Sequence, residues 1–330
     1  MIDAGWLTLI AAGAVAASVL IYVLLDGTDL GVGMLMAFNH REEHRRVMVL
    51  SLLPIWDANE TWLVLGGGSL LALFPVAYAI LLPALYLPII LMVAGLMLRA
   101  VALEFREHAR HKRALDALLL AGSLLATCCQ GLILGTLIQG VHHEAGQYAG
   151  AGLDWLAPFP LLCAAALVTG YLWLGACWLY WRSDADLHAR SRYQAVWLAG
   201  LAMIGLLAVL AGTGNFDERY AQRLMQAPVA GGGALVLACL LGAFALAFRS
   251  QRHYLPLFAA LGVVVLAFAL IAVALFPLIV PPALSIQDAA SGPATQTFML
   301  AGFAILLPLT LFYNTYGFRI FAGKIRVEDQ

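Results

Sequence analysis

Apolar residues fill this chain in long runs separated by short polar turns. The runs lack the alternation over about 10 residues that marks strands of an outer-membrane barrel. A helix that crosses a bilayer needs about 20 apolar residues. Nine windows reach that length: 6–38, 48–72, 76–98, 115–139, 155–181, 194–212, 230–248, 255–279 and 298–318. The pattern predicts an all-α polytopic membrane protein of nine transmembrane helices, forming one bundle domain over residues 1–330. The first window is too long for a simple span and must tilt, bend or project. Pro54 removes a helix donor three residues before Asp57, which predicts a bend in the second span. Gly66, Gly67 and Gly68 in the same window let a neighbouring helix come close or break the span.

Four carboxylates interrupt this pattern: Asp26 and Asp29 in the first window, Asp57 and Glu60 in the second. An uncompensated charge at the bilayer centre costs at least about 2.5–3.5 kcal/mol, so such residues face protein, water or one another. Depth follows by counting inward from the basic turn at 39–47. Asp29 stands 12 residues before Arg41 and Asp57 stands 11 after Arg46, each roughly 17 Å in at the helical rise. Asp26 and Glu60, at 15 and 14 residues, are each roughly 22 Å in. Two antiparallel helices are therefore expected to present two acid rungs, Asp29 with Asp57 and Asp26 with Glu60.

Orientation follows from the basic residues. Those after the first, third, fifth and seventh windows, with the tail (Arg319, Lys324, Arg326), make 16 of the 18 Lys and Arg; only Arg219 and Arg223 lie opposite. This places the N-terminus in the periplasm and the C-terminus in the cytoplasm, with both rungs in the cytoplasmic half. Hydrophobic residues at 63% against 11% charged exclude an ordinary soluble domain. A net charge of −1 speaks against nucleic acid as a partner. Residues 1–25 lack a basic leader, so no cleavable signal is expected. The five cysteines fall inside predicted helices without metal spacing and read as small buried hydrophobes. All eight histidines fall in predicted loops, leaving no axial ligand for a haem within the bundle.

Asp26 with Asp29, and Asp57 with Glu60, are i, i+3 pairs that share a helix face. Burial and mutual repulsion favour a proton on such acids, as a relay requires. The same oxygens also suit a cation site at Asp29 and Asp57, or plain bonds to backbone, Asn59 or an arginine. Trp56 and Trp62 flank the second pair, as packing or with an indole N–H bonding a carboxylate or a partner's cofactor edge. Arg99, Glu104, Arg106 and Glu107 read as a charged helix end at the cytoplasmic surface, where Glu104 is either a point for protons to come in or a solvated anchor. On these residues alone, a stand-alone proton- or sodium-coupled transporter is the alternative to a subunit of a larger complex. The acids sit in the first two spans without matching broken helices later, which disfavours the transporter.

The string Asp26-Gly27-Thr28-Asp29-Leu30-Gly31-Val32-Gly33, followed by Pro54-Ile55-Trp56-Asp57-Ala58-Asn59-Glu60-Thr61-Trp62, resembles subunit II of the cytochrome bd-type quinol oxidases. The likeness extends through Arg99–Arg106, Phe276–Pro281 and the last helix with Asn314 and Tyr316. Its short length is similar to the cyanide-insensitive branch. The resemblance implies an inner-membrane quinol:oxygen oxidoreductase whose subunit I holds b-type and d-type haems and oxidises ubiquinol or menaquinol with dioxygen. Subunit II is implied to be its haem-free partner, stabilising subunit I and contributing to cytoplasmic proton delivery. Asp29 and Asp57 match the family's acidic positions, associated with a proton path or a bound cation. Relatives often carry Gln where Glu60 stands. A structural quinone and a small single-helix accessory subunit are further features that the resemblance implies.

Overall fold

The computed structural model describes residues 4–320 and 323–325. Arg326 lies outside the described residues, so the basic tail is followed only through Lys324. The first apolar window forms a single helix, α1 (Ala4–Leu35), that continues into a 3-10 turn at Met36–Phe38. Its 32 residues span about 48 Å, longer than the hydrocarbon core, so α1 projects beyond it.

The second window divides where Pro54 predicts a bend. α2 (Glu42–Leu52) ends before the proline and α3 (Trp56–Leu73) begins after it. α4 (Pro75–Phe105) and α5 (Lys112–Gln139) follow, then α6 (Pro158–Arg182) and α7 (Ala185–Thr213). A short α8 (Glu218–Leu224) precedes α9 (Ala227–Ala247) and α10 (Leu255–Leu275). α11 (Ile286–Ala289) leads into α12 (Pro293–Ile320). Eight of these are long and apolar enough to cross a membrane: α1, α4, α5, α6, α7, α9, α10 and α12. α3, with 18 residues and two acids, occupies the remaining predicted window and reaches about 27 Å.

α1 is the central helix, packed against α6, α3, α5 and α12. Gly31 makes that closeness possible, because a Cβ there would strike the backbone of Tyr171 and Gly175 on α6. By contrast α9 and α12 expose most of their surface.

The two ends of the bundle differ. Arg41 pairs with Asp186 at 2.7 Å, Lys324 with Asp184 at 3.2 Å, and the Ile325 amide donates to the Arg182 carbonyl at 2.9 Å. The turns after α1 and α6 and the C-terminal segment thus share one arginine-rich end. His44 and His188 also lie there, in α2 and α7 rather than in the loops expected of them, because both helices start earlier than their apolar windows. At the opposite end, two small antiparallel hairpins occupy the loops: His143–Glu144 with Gln147–Tyr148, and Leu278–Val280 with Leu284–Ser285. Val141 donates its amide to the Pro281 carbonyl at 2.9 Å and ties these loops together.

Candidate functional site

Arg99 is the centre of the site. Its guanidinium is fully buried, with Nη1 2.6 Å from Asp26 Oδ1 on α1 and Nη2 donating to Glu60 Oε1 on α3 at 2.5 Å. Asp29, also fully buried, accepts from Asn59 Nδ2 at 2.8 Å. Two carboxyl groups therefore pair with one guanidinium where α1, α3 and α4 meet, and the buried Asp29 lies close enough to feel its charge. Arg99 was expected at the charged end of a helix closing near residue 98. α4 instead continues to Phe105, which carries Arg99 two turns inside the arginine-rich end.

The second expected rung, Asp26 with Glu60, is formed, with Arg99 as the bridge between them. The first is not formed as drawn. Asp57 is exposed on α3 and has no ion pair or side-chain hydrogen bond among the described residues, whereas Asn59 reaches Asp29. Two causes combine. Residues two apart on a helix are separated by about 200°, so Asp57 and Asn59 face opposite ways. In addition, α2 stays near the arginine-rich end: Trp178 Nε1, only one turn from Arg182, donates to Ser51 Oγ at 3.2 Å. A residue count from Arg46 therefore overstates the depth of Asp57.

Trp62, read as a candidate contact to a partner's haem, is completely enclosed within this chain and cannot present its ring outward. Packing of α3 against α1 takes that face of the helix inside. Trp56 is half-buried, and Glu104 is exposed on α4 without a partner among the described residues. Cys239 is exposed on α9 and Cys128 half-buried, so only Cys129, Cys163 and Cys177 are the buried hydrophobes expected.

Three side chains outside the sequence motifs complete the surroundings. Tyr22, one turn before Asp26 on α1, is buried on the same face of that helix. Gln130 on α5 donates Nε2 to Tyr22 Oη at 2.8 Å, and Tyr171 on α6 donates to Gln130 Oε1 at 2.8 Å. Gly27 makes room for this contact: a Cβ there would lie 2.5 Å from the Tyr171 ring. The glycines between the acids were the available signal, since each requires something large to press on α1.

Chemically, three acids sharing one base leave more negative charge than the guanidinium neutralises if all ionise, which suits proton exchange. Asp29 Oδ1 and Asn59 Oδ1 are buried and accept no hydrogen bond among the described residues, leaving oxygens of the kind a hard cation takes. Among those residues no group of three His, Cys, Asp or Glu side chains is arranged to hold a metal ion.

Known proteins identify the setting of this site. The model of the family "cytochrome bd terminal oxidase subunit II" matches residues 7–321. Subunit 2 of cytochrome bd ubiquinol oxidase from Bacillus subtilis is 27% identical, over 93% of this chain and 94% of that protein. Subunit 2 of cytochrome bd-I ubiquinol oxidase from Escherichia coli is 28% identical, over 93% and 92%. The fold matches a chain of the solved bd oxidase from Geobacillus thermodenitrificans with a TM-score of 0.80, at 18% identity, covering 96% of this chain and 98% of that one. The chain belongs to the cytochrome bd terminal oxidase subunit II family and is a multi-pass component of a quinol oxidase complex in the bacterial inner membrane.

Proposed function

We propose that this chain is the haem-free subunit of its oxidase, that it steadies a haem-bearing subunit I, and that its acid cluster passes protons from the cytoplasm towards that partner. The observation that carries this reading is the pairing of Asp26 and Glu60 with the buried Arg99, beside the buried Asp29. Reduction of dioxygen to water consumes protons. Moving each unit of charge across the membrane is worth about 2.3 kcal/mol per 100 mV, so drawing protons from the cytoplasm conserves energy. We place the arginine-rich end in the cytoplasm on the positive-inside rule.

Asp57 supports a position for the partner. On α3 the exposed residues Asp57, Thr61, Val64, Gly68 and Leu71 follow one another at helical spacing and form a stripe. A carboxylate in a membrane helix is not left facing lipid. Subunit I covers this stripe, and Asp57 with the half-exposed Glu60 links the interface to the buried cluster. Quinol, either ubiquinol or menaquinol, together with dioxygen and the b-type and d-type haems, belongs to the partner. A structural quinone and an accessory helix remain compatible with the exposed faces of α9 and α12.

Asp57→Asn in the purified complex tests the reading. Quinol oxidation should slow by about tenfold to a hundredfold, with haem absorbance per complex unchanged. Loss of haem and assembly in step with activity would support a purely structural brace instead. Unchanged turnover and proton uptake would remove Asp57 from the path.

A further inference from the structure

Most bases at the arginine-rich end are answered by an oxygen of the chain itself. Arg41, Arg45, Arg46 and Lys324 pair with acids, and Arg182 and Arg190 donate to the carbonyls of Gly323 and Phe38. Arg192, Arg249 and Arg252 are different. All three are exposed, and their guanidinium groups make no ion pair or hydrogen bond among the described residues. Arg110 and Arg113 are unanswered too, but neither lies over an aromatic ring among those residues. Arg192, near the start of α7, lies over the Phe248 ring at 5.7 Å, which ties it to the turn between α9 and α10. Arg249 and Arg252 stand in that turn, two residues past Ala247 and three before Leu255. Three positive charges are thus gathered at the level where apolar helices end, and one of them is held in place by a ring.

The face of α7 next to these charges is graded. Tyr193 and Trp197 are exposed just inside Arg192, where a membrane helix carries its interfacial aromatics. Val196, Leu201 and Ile204 continue the same exposed face at helical spacing. From Arg192 to Ile204 the helix rises about 18 Å, enough to cover one leaflet's half of a roughly 30 Å core. Charge, then aromatic, then aliphatic is the profile of a phospholipid read from its phosphate to its chain end. α7 packs on α6 and α6 on α1, so this face lies on a different flank from the α3 stripe proposed for subunit I. We propose that Arg192, Arg249 and Arg252 bind the phosphate of an anionic phospholipid whose acyl chain lies along α7. Guanidinium groups suit phosphate because their paired N–H donors match its oxygens. A zwitterionic headgroup brings its own ammonium, whereas three unneutralised bases favour a headgroup of net negative charge. The inference needs only that the chain spans a membrane, and it is independent of proton delivery.

The test is native mass spectrometry of the purified oxidase complex in neutral detergent, titrated with phosphatidylglycerol, with phosphatidylcholine and with inorganic phosphate. The complex should hold a phosphatidylglycerol that the triple variant Arg192→Gln, Arg249→Gln, Arg252→Gln binds about a hundredfold more weakly, each arginine near the membrane surface contributing about fivefold. The double variant Arg110→Gln, Arg113→Gln removes charge elsewhere at the same end and should leave that affinity as it was. Added salt should weaken binding to the unaltered complex and hardly change it in the triple variant. An unchanged affinity in the triple variant overturns the proposal. So does an equal loss in the double variant, which would make net charge the cause. Phosphatidylcholine held as tightly as phosphatidylglycerol would show that the charge is not read. Inorganic phosphate bound in place of lipid would make this a free-anion site, and loss of a protein subunit from the triple variant would give the patch to a protein. Each of these results overturns the lipid reading. Haem absorbance and Tm control for folding. Should the triple variant not assemble, Arg249→Gln with Arg252→Gln decides alone, with about a thirtyfold loss expected and an unchanged affinity counting against the proposal.

Discussion

α4 and the 3-10 turn that follows it at Arg106–His108 hold two buried arginines, Arg99 and Arg106, seven residues apart, and they sit in different company. Arg99 is paired with Asp26 and Glu60, with Asp29 acting on it from further off and no second base among the contacts described. Arg106 donates Nε to Asp116 at 2.5 Å and Nη2 to Glu42 at 3.1 and 3.2 Å, with Glu107 3.4 Å from Nη1. There the acids are shared out: Arg45 also bonds Asp116 at 2.9 Å, Arg46 lies 3.5 Å from Glu107 and Lys112 lies 3.9 Å from Glu42. Three acids meet one base in the first cluster and four bases in the second. The second is a clasp that fastens α2 and α5 to the end of α4. Excess acid in the first leaves room for a proton, and the surplus of base in the second leaves none to spare.

The largest effect should come from Arg99→Met. It strands buried carboxyl groups without their cation, and breaking a buried pair costs about 3–5 kcal/mol. Little haem-bearing complex should be recovered, as read from the yield and Tm of the purified oxidase. A complex of normal yield and Tm would show that the acids do not need Arg99 and would erase the contrast with Arg106.

Asp116→Asn should rank next. It leaves Arg106 and Arg45 facing a neutral amide, at a cost of about 1–3 kcal/mol, and Glu42 still partners Arg106. Tm should fall while turnover per haem and its pH profile stay as they were. A displaced pH profile in this variant would mean that the clasp, too, handles protons, and the division between the two clusters would not hold.

How much of this was legible in the sequence depended on the type of residue. Asp26, Asp29 and Glu60 stood out because charge in an apolar window is costly, and Pro54 marked the break between α2 and α3 because it lacks a donor. Arg99 was hidden by its own charge: a basic residue after an apolar window looks like a helix end, and hydropathy cannot tell that α4 runs six residues further to Phe105. Asn59 was overshadowed by Asp57, since residue counting assumed that α2 and α3 share one axis. Gln130 and Tyr171 gave no signal, because single neutral polar residues in apolar helices are common and their partners lie on other helices. Only Gly27 and Gly31 hinted at them, as places where α1 must be approached closely.

The smallest expected effect sharpens the same contrast through pH. His44 lies on α2 beside the clasp, and its imidazole titrates below the usual histidine value of 6.5, held down first by burial and then by Arg41, with Arg190 adding to it and Asp186 and Glu43 opposing. A folded-state value below the unfolded one means that the unfolded chain binds the proton first as pH falls. The stability that neutral His44 contributes is therefore complete above 6.5 and declines as pH drops below it towards the folded-state value. Acidification adds a positive charge to an end already rich in arginine, so the clasp should weaken in stability while the acid cluster answers pH in turnover. Tm of the complex measured from pH 7.5 to about 5.5 should fall, and His44→Gln should flatten that slope without moving the pH profile of oxygen consumption. An unchanged slope in the variant would assign the acid sensitivity of folding to groups other than His44. A displaced turnover profile would connect the clasp to the proton chemistry from which its surplus of base separates it.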